Sequence, residues 1–222
     1  MSGRRPLHAA SLCVLLVGCH TQPEMESLLA DVAAETTQAL VVRPDGGAVH
    51  RATLAAFERD EGGWRCVFGP VAATVGRSGI VAGADKREGD GGTPAGTHRL
   101  GTAFGYAASL PTRLGYRQAT ADDWWIDDPA SPAYNTWVTG KPPVSAERMR
   151  RDDDQYSQGA VIEWNTARRE PGRGSAIFLH VWAAPGAPTE GCVAVAAADL
   201  RALLAWLDAA LRPVITIDAG AR

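Results

Sequence analysis

Ser175-Ala176-Ile177-Phe178-Leu179-His180-Val181 is followed, across the loop Pro185-Gly186-Ala187-Pro188, by Thr189-Glu190-Gly191-Cys192-Val193-Ala194-Val195. The first run is apolar and β-prone, so residues 175–181 read as a strand that carries His180 near its end. The turn-rich loop lets the chain fold back, and Cys192, twelve positions on, can then meet the imidazole. That meeting matters because the thiolate is the nucleophile, and a free thiol with a pKa of about 8.5 supplies little of it at neutral pH. A neighbouring imidazole can take the proton and form a thiolate–imidazolium pair. Gly191 would let the backbone approach closely, so that N–H groups near Cys192 meet a developing oxyanion. Loss of one such donor typically costs about 10²–10³ in rate. Spacing alone also leaves open a buried structural cysteine beside a core histidine.

Outward from this stretch the chain alternates short apolar runs with glycine turns. Residues 39–43, 49–57 and 64–75 read as strands separated by Asp45-Gly46-Gly47 and Glu61-Gly62-Gly63. Residues 160–164 and 214–217 read as further strands. A helix is expected over 197–211, with Leu200, Leu203, Leu204, Leu207 and Leu211 as its apolar stripe and Pro213 as its stop. Residues 76–96 are polar and glycine-rich and read as a long functional loop. Asp85, Glu88 and Asp90 lack the spacing and closing Glu of a calcium loop, and no metal or cofactor is expected. Trp124, Trp125, Tyr134 and Trp137 are expected to pin an irregular segment to the core. The sum is a mainly β (α+β) fold with one packed C-terminal helix.

The 222 residues are 45% hydrophobic and 21% charged, the mix of a globular protein rather than a disordered one. A formal net charge of -3 with scattered Arg excludes the basic stripe that a nucleic-acid partner needs. Arg4 and Arg5 precede the short apolar run 7–17, which is too short for a permanent membrane span and reads as an export signal. Leu16-Val17-Gly18-Cys19 resembles a bacterial lipobox, so 1–18 is expected to be a lipoprotein signal peptide and Cys19 a lipid attachment site. Residues 19–38 then read as a tether and short helix, with Pro23 in its first turn and Met25, Leu28, Leu29 and Val32 at helical spacing. Residues 39–222 form the expected catalytic domain. The protein is expected to be exported and periplasmic, held at a membrane by its lipid. The lack of Asp after Cys19 favours the outer membrane. Cys66 reads as a buried structural thiol that an oxidising compartment could join to Cys192. His50 and His98 read as surface positions.

His180, the loop and Thr189-Glu190-Gly191-Cys192-Val193 resemble the signature of the L,D-transpeptidase catalytic domain (the YkuD-like family). Thr93-Pro94-Ala95-Gly96 with Leu100-Gly101 resembles its Thr-Pro-x-Gly segment, and the resemblance spans residues 77–217. It implies a mixed, β-sandwich-like domain and a cysteine peptidyltransferase acting on peptidoglycan stem peptides. Cys192 would attack, His180 would serve as base and then acid, and Gly191 and Cys192 would offer backbone donors. A backbone carbonyl such as that of Val181 would orient the imidazole. Thr189, Trp164 and Asn165 are candidate substrate contacts. Resolution of the thioester by water instead of an amine would make the protein an L,D-carboxypeptidase or endopeptidase, and a non-catalytic wall-binding lipoprotein is the remaining alternative. Two departures mark a divergent member: Val181 stands at the usual Gly and Ala194 at the usual Arg. The 86–96 segment and Trp124-Trp125 are candidates for the missing contacts.

Overall fold

In the computed structural model, which describes residues 22–220, the first half of the chain builds a long antiparallel meander. Strands β1 (Gln38–Pro44), β2 (Arg51–Asp60) and β3 (Gly63–Thr74) pair in sequence order. They turn at the two Asp/Glu-Gly-Gly sites. Asp45 Oδ1 accepts the Gly47 N–H at 2.8 Å, and Asp60 Oδ1 accepts the Gly62 N–H at 2.8 Å. Such local side-chain bonds fix a turn before any strand is paired. The glycine-rich segment that follows is ordered by a short parallel pair, β4 (Ile80–Val81) with β5 (Thr93–Pro94). The chain continues through β6 (Gly96–Gly105) and β7 (Tyr116–Gln118). A separate three-stranded sheet comprises β8 (Asp123–Ile126), β9 (Trp137–Thr139) and β10 (Ala146–Arg148). The last strands are β11 (Gln158–Ile162), β12 (Phe178–Val181), β13 (Val193–Val195) and β14 (Val214–Ile217).

The large sheet runs β11-β12-β13-β3-β2-β1-β14-β6-β7, and β11 also pairs with β6. Eight strands therefore close into a ring, which removes the free edges of an open sheet and leaves β7 outside the closure. The pairs β1–β14, β12–β13 and β6–β7 are parallel and the rest of the sheet antiparallel, so the fold is mainly β and mixed, as the alternating apolar runs and glycine turns predict. The α-helix α1 (Gln22–Ser27) leads into a turn, and Met25, Leu29 and Val32 cover Ala39, Val41, Ala55 and Phe57 on one face of β1 and β2. Leu40, Val42, Leu54 and Ala56 alternate onto the opposite face and join the main core. There α2 (Ala197–Trp206) buries Leu200, Leu203 and Leu204 over β11 and β12. The same period-2 alternation divides β12. Leu179 and Val181 enter that core, while Phe178 and His180 point to the other side.

Five expectations are corrected. The C-terminal helix stops at Trp206, not 211, because Gln38 grips its end: Nε2 donates to Trp206 O at 2.9 Å and Oε1 accepts the Asp208 N–H at 2.8 Å. Leu207 turns extended yet stays buried, so the apolar pattern survives where the helix does not. The strand expected over 175–181 is only Phe178–Val181, since Ala176 has a positive φ of 52°. The tryptophan-rich middle is not irregular: Trp124 and Trp125 lie on β8 and Trp137 on β9. His98 is half-buried on β6, with its ring edge-on to Trp164 at 5.5 Å, and is not a surface position. Cys66 is half-buried against the Met25 cluster and forms no disulfide with Cys192.

Candidate active site

The parallel register of β12 and β13 sets His180 beside Ala194 and Leu179 beside Val193, which leaves Cys192 next to the start of β12. Its Sγ accepts the Phe178 N–H at 3.3 Å and donates to Ala176 O at 3.3 Å. Cys192 is 7% exposed and His180 3%. Both line one cavity of about 480 Å³, together with Lys86, Glu147, Arg151 and Tyr156. Gly191 must be glycine: its φ is 141°, and a Cβ would lie 3.0 Å from Gly92 O and 3.3 Å from Ile177 Cδ1.

The glycine-rich 76–96 segment packs directly beneath this turn. Thr93 Oγ1 donates to Cys192 O at 3.2 Å and accepts the Gly76 N–H at 2.8 Å. Thr189 Oγ1 donates to the same carbonyl at 2.7 Å and accepts the Gly191 N–H at 3.2 Å. Two threonines, one from each recognised segment, therefore fix the backbone that carries the thiol. Lys86, almost fully buried, bonds Asp90 Oδ1 and Arg87 O at 2.7 Å each, and Asp90 also accepts the Arg87 and Gly92 N–H groups at 2.7 and 2.8 Å.

His180 Nδ1 lies 2.8 Å from Val181 O. A carbonyl only accepts, so Nδ1 carries the proton and Nε2 keeps its lone pair, the form a general base needs. Burial pushes the imidazole down to about 4 and the Cys192 thiol up to about 12. Desolvation disfavours both charged forms, so thiol and imidazole rest neutral. Burial thus opposes the thiolate–imidazolium pair at rest, and no hydrogen bond joins the two side chains among the described residues.

The other expected site residues divide. Thr189 lines the cavity, but its hydroxyl is engaged by the turn. Glu190 is exposed and pairs with Arg77 at 2.8 Å. Trp164 and Asn165 line a different cleft, with Glu163, Thr166 and Arg173. Their polar groups are consumed there: Trp164 Nε1 donates to Arg173 O at 2.8 Å, and Asn165 Nδ2 to Glu170 O and Gly174 O at 3.0 and 3.1 Å. Ala194 is fully buried between β12 and β3. Cys19 lies outside the described residues. Sequence reading missed Tyr156, Glu147, Arg151 and Asn135. Asn135 Oδ1 accepts Trp125 Nε1–H at 2.8 Å and the Ala176 N–H at 3.1 Å, tying the small sheet to the backbone that holds the thiol.

A thiol just before β13 and an imidazole on its parallel neighbour β12, braced by a Thr-Pro-x-Gly segment, agree with the comparison of whole sequences. The family model for the L,D-transpeptidase catalytic domain (YkuD) matches residues 45–216. The chain belongs to the L,D-transpeptidase catalytic-domain family. The matched span of this L,D-transpeptidase family member contains His180, Cys192 and Thr93-Pro94-Ala95-Gly96, and it starts upstream of the residues that carried the resemblance. No curated protein matches the chain. Among solved structures, the helical cell shape determining protein Pgp2 from Campylobacter jejuni is similar at 13% identity and a TM-score of 0.42. The match covers 84% of this chain and 49% of that one, so the chain spans about half its length.

Proposed function

We propose that the protein is an exported L,D-transpeptidase that works through a Cys192 thioester. The observation that supports this most directly is the shared cavity, in which Cys192 faces a His180 imidazole with its Nε2 lone pair free. A stem peptide enters with the carbonyl of the L-centre of its diamino acid at Cys192. Sγ attacks that carbon while the thiol proton passes to His180 Nε2. The oxyanion is met by the Cys192 N–H, which donates to nothing among the described residues, whereas the Gly191 N–H is already turned to Thr189. Collapse breaks the bond to the terminal D-residue, and His180 returns the proton to the leaving amine. The amine of a second stem then attacks the thioester, His180 takes its proton, and Cys192 leaves as the thiol. Substrate carries polar groups into a site where thiol and imidazole are neutral at rest, so ionisation of the pair follows binding rather than preceding it. Export and lipid anchoring rest on the sequence of residues 1–19: the Arg4-Arg5 pair, the apolar 7–17 run and Cys19 at the lipobox position.

The test is mass spectrometry of products from purified disaccharide-tetrapeptide, with wild type and Cys192→Ala compared. A dimer that has lost one terminal residue, formed by wild type alone, supports transpeptidation. Cys192-dependent loss of the residue without a dimer replaces it with hydrolysis. Equal products from both proteins refute the thiol's role.

A further inference from the structure

Tyr156 is the buried titratable group that this chemistry leaves without a role, and it touches both partners of the proposed reaction. Its ring stands edge-on to His180 at 5.2 Å and to Phe178 at 5.6 Å, which fixes the imidazole plane. Its hydroxyl donates to Glu147 Oε1 at 2.6 Å. Its side chain packs in one cluster with Cys192 and lines the same cavity, where its hydroxyl favours the thiolate. The thiol meanwhile donates to Ala176 O. At rest, then, the hydroxyl proton and the thiol proton both point away from the sulfur–imidazole axis.

We propose that Tyr156 is a positioning residue whose hydroxyl switches acceptor, bonding Glu147 while Cys192 is a thiol and turning onto the sulfur once the thiolate forms. This rests on reading Cys192 as the nucleophile. The charges around the pair suit such a switch. Glu147 comes from β10 opposite Trp125, and its charge opposes ionisation of the sulfur. Arg151 holds Glu147 at 3.4 Å and lies over the Tyr156 ring at 5.2 Å, so Glu147 keeps a partner when the hydroxyl leaves it. Asp153 steadies Arg151 at 2.9 Å, and Asp127 adds a second negative charge beside Glu147. From the opposite wall Lys86, bound to Asp90, favours the thiolate, while Glu88 accepts the Tyr134 and Ser175 hydroxyls. Glu190, next to Cys192 in the chain, is exposed and paired with Arg77.

The test is the rate of iodoacetamide alkylation of Cys192 between pH 7 and 9, read by peptide mass spectrometry on the full chain. In that range the rate follows the thiolate fraction. Tyr156→Phe removes the donor and is expected to slow alkylation about tenfold. Glu147→Gln keeps an acceptor but removes the opposing charge, and is expected to speed it about tenfold. A merely structural role would loosen the cavity and speed both. Unchanged or faster alkylation in Tyr156→Phe, or unchanged or slower alkylation in Glu147→Gln, overturns the proposal. Should Tyr156→Phe melt below the assay temperature, Arg151→Gln decides. It leaves the Glu147 charge uncompensated and is expected to slow alkylation, whereas equal or faster reaction overturns the switch. Alkylation needs no stem peptide, so failure of turnover would strike the proposed function and leave this result standing.

Discussion

Replacing Gly191 with alanine strains the backbone that carries the nucleophile, and the structure gives the size of the effect. The new Cβ would lie 3.0 Å from Gly92 O, a backbone atom whose residue is fixed by its N–H bond to Asp90 and by the bond of the next residue, Thr93, to Cys192 O, so a rotamer change cannot relieve the contact. The φ of 141° adds strain of about 1–3 kcal/mol. Overpacking adds about 1–3 kcal/mol more, so about 4 kcal/mol is a fair midpoint. Gly46→Ala is the matched control. Its φ is 82° but nothing lies within 4 Å, so only the left-handed cost of about 1–2 kcal/mol applies. In a domain of this size each kcal/mol moves the melting temperature by about 2–4 °C. Calorimetry should therefore show losses of roughly 8–16 °C for Gly191→Ala and about 2–8 °C for Gly46→Ala. Equal losses from the two variants would refute the claim that the Gly92 contact dictates glycine at position 191.

Asn135→Ala strands the Trp125 indole N–H, the Ala176 N–H and the carbonyls of Trp164 and Asn165, all bonded to Asn135 at 2.8–3.1 Å. It should cost about 3–5 kcal/mol and speed Cys192 alkylation, because Ala176 O is the thiol's acceptor; unchanged melting would contradict this. His180 is held neutral by burial with a folded value of about 4, so the unfolded chain binds the proton first as pH falls. Stability should therefore drop by about 3 kcal/mol between pH 7 and 4, a slope that His180→Gln lacks; denaturant titrations that run parallel for both proteins would refute it. Asp123 is held well below the usual carboxylate range although burial opposes this, since Thr120, Trp137 and Thr139 donate to it and Arg117 pairs with it at 2.7 Å. Asp123→Ala should cost about 3–5 kcal/mol by stranding the small sheet's donors, and a loss below 1 kcal/mol would contradict that.

The strands with simple alternation were legible: β1 to β3 fall where apolar runs meet Asp/Glu-Gly-Gly, and the local Asp–glycine bonds explain why. The pairing of the thiol with its imidazole was legible because their residue types and spacing are rare and one short loop separates them. What lay hidden depends on distant partners. Gln38 ends a helix 168 residues away, and no local pattern in 197–211 reveals that clamp. Trp164 and Asn165 stand close to β12 in sequence, but the positive φ of Asn165 turns that loop toward Glu170 and into another cleft. Tyr156, Glu147 and Arg151 reach the cavity because β10 and β11 arrive from different sheets. The neutral resting pair follows from burial, which a sequence motif does not carry.

The central claim is that Cys192 carries the acyl group. Intact-protein mass spectrometry of the full chain, incubated briefly with a tetrapeptide stem whose acceptor amine is blocked, tests it directly. The account predicts a mass gain equal to the stem less its terminal residue, mapped to the Cys192 peptide, released by hydroxylamine and absent from Cys192→Ala. A gain that persists in Cys192→Ala, or terminal-residue loss in that variant at the wild-type rate, would contradict it.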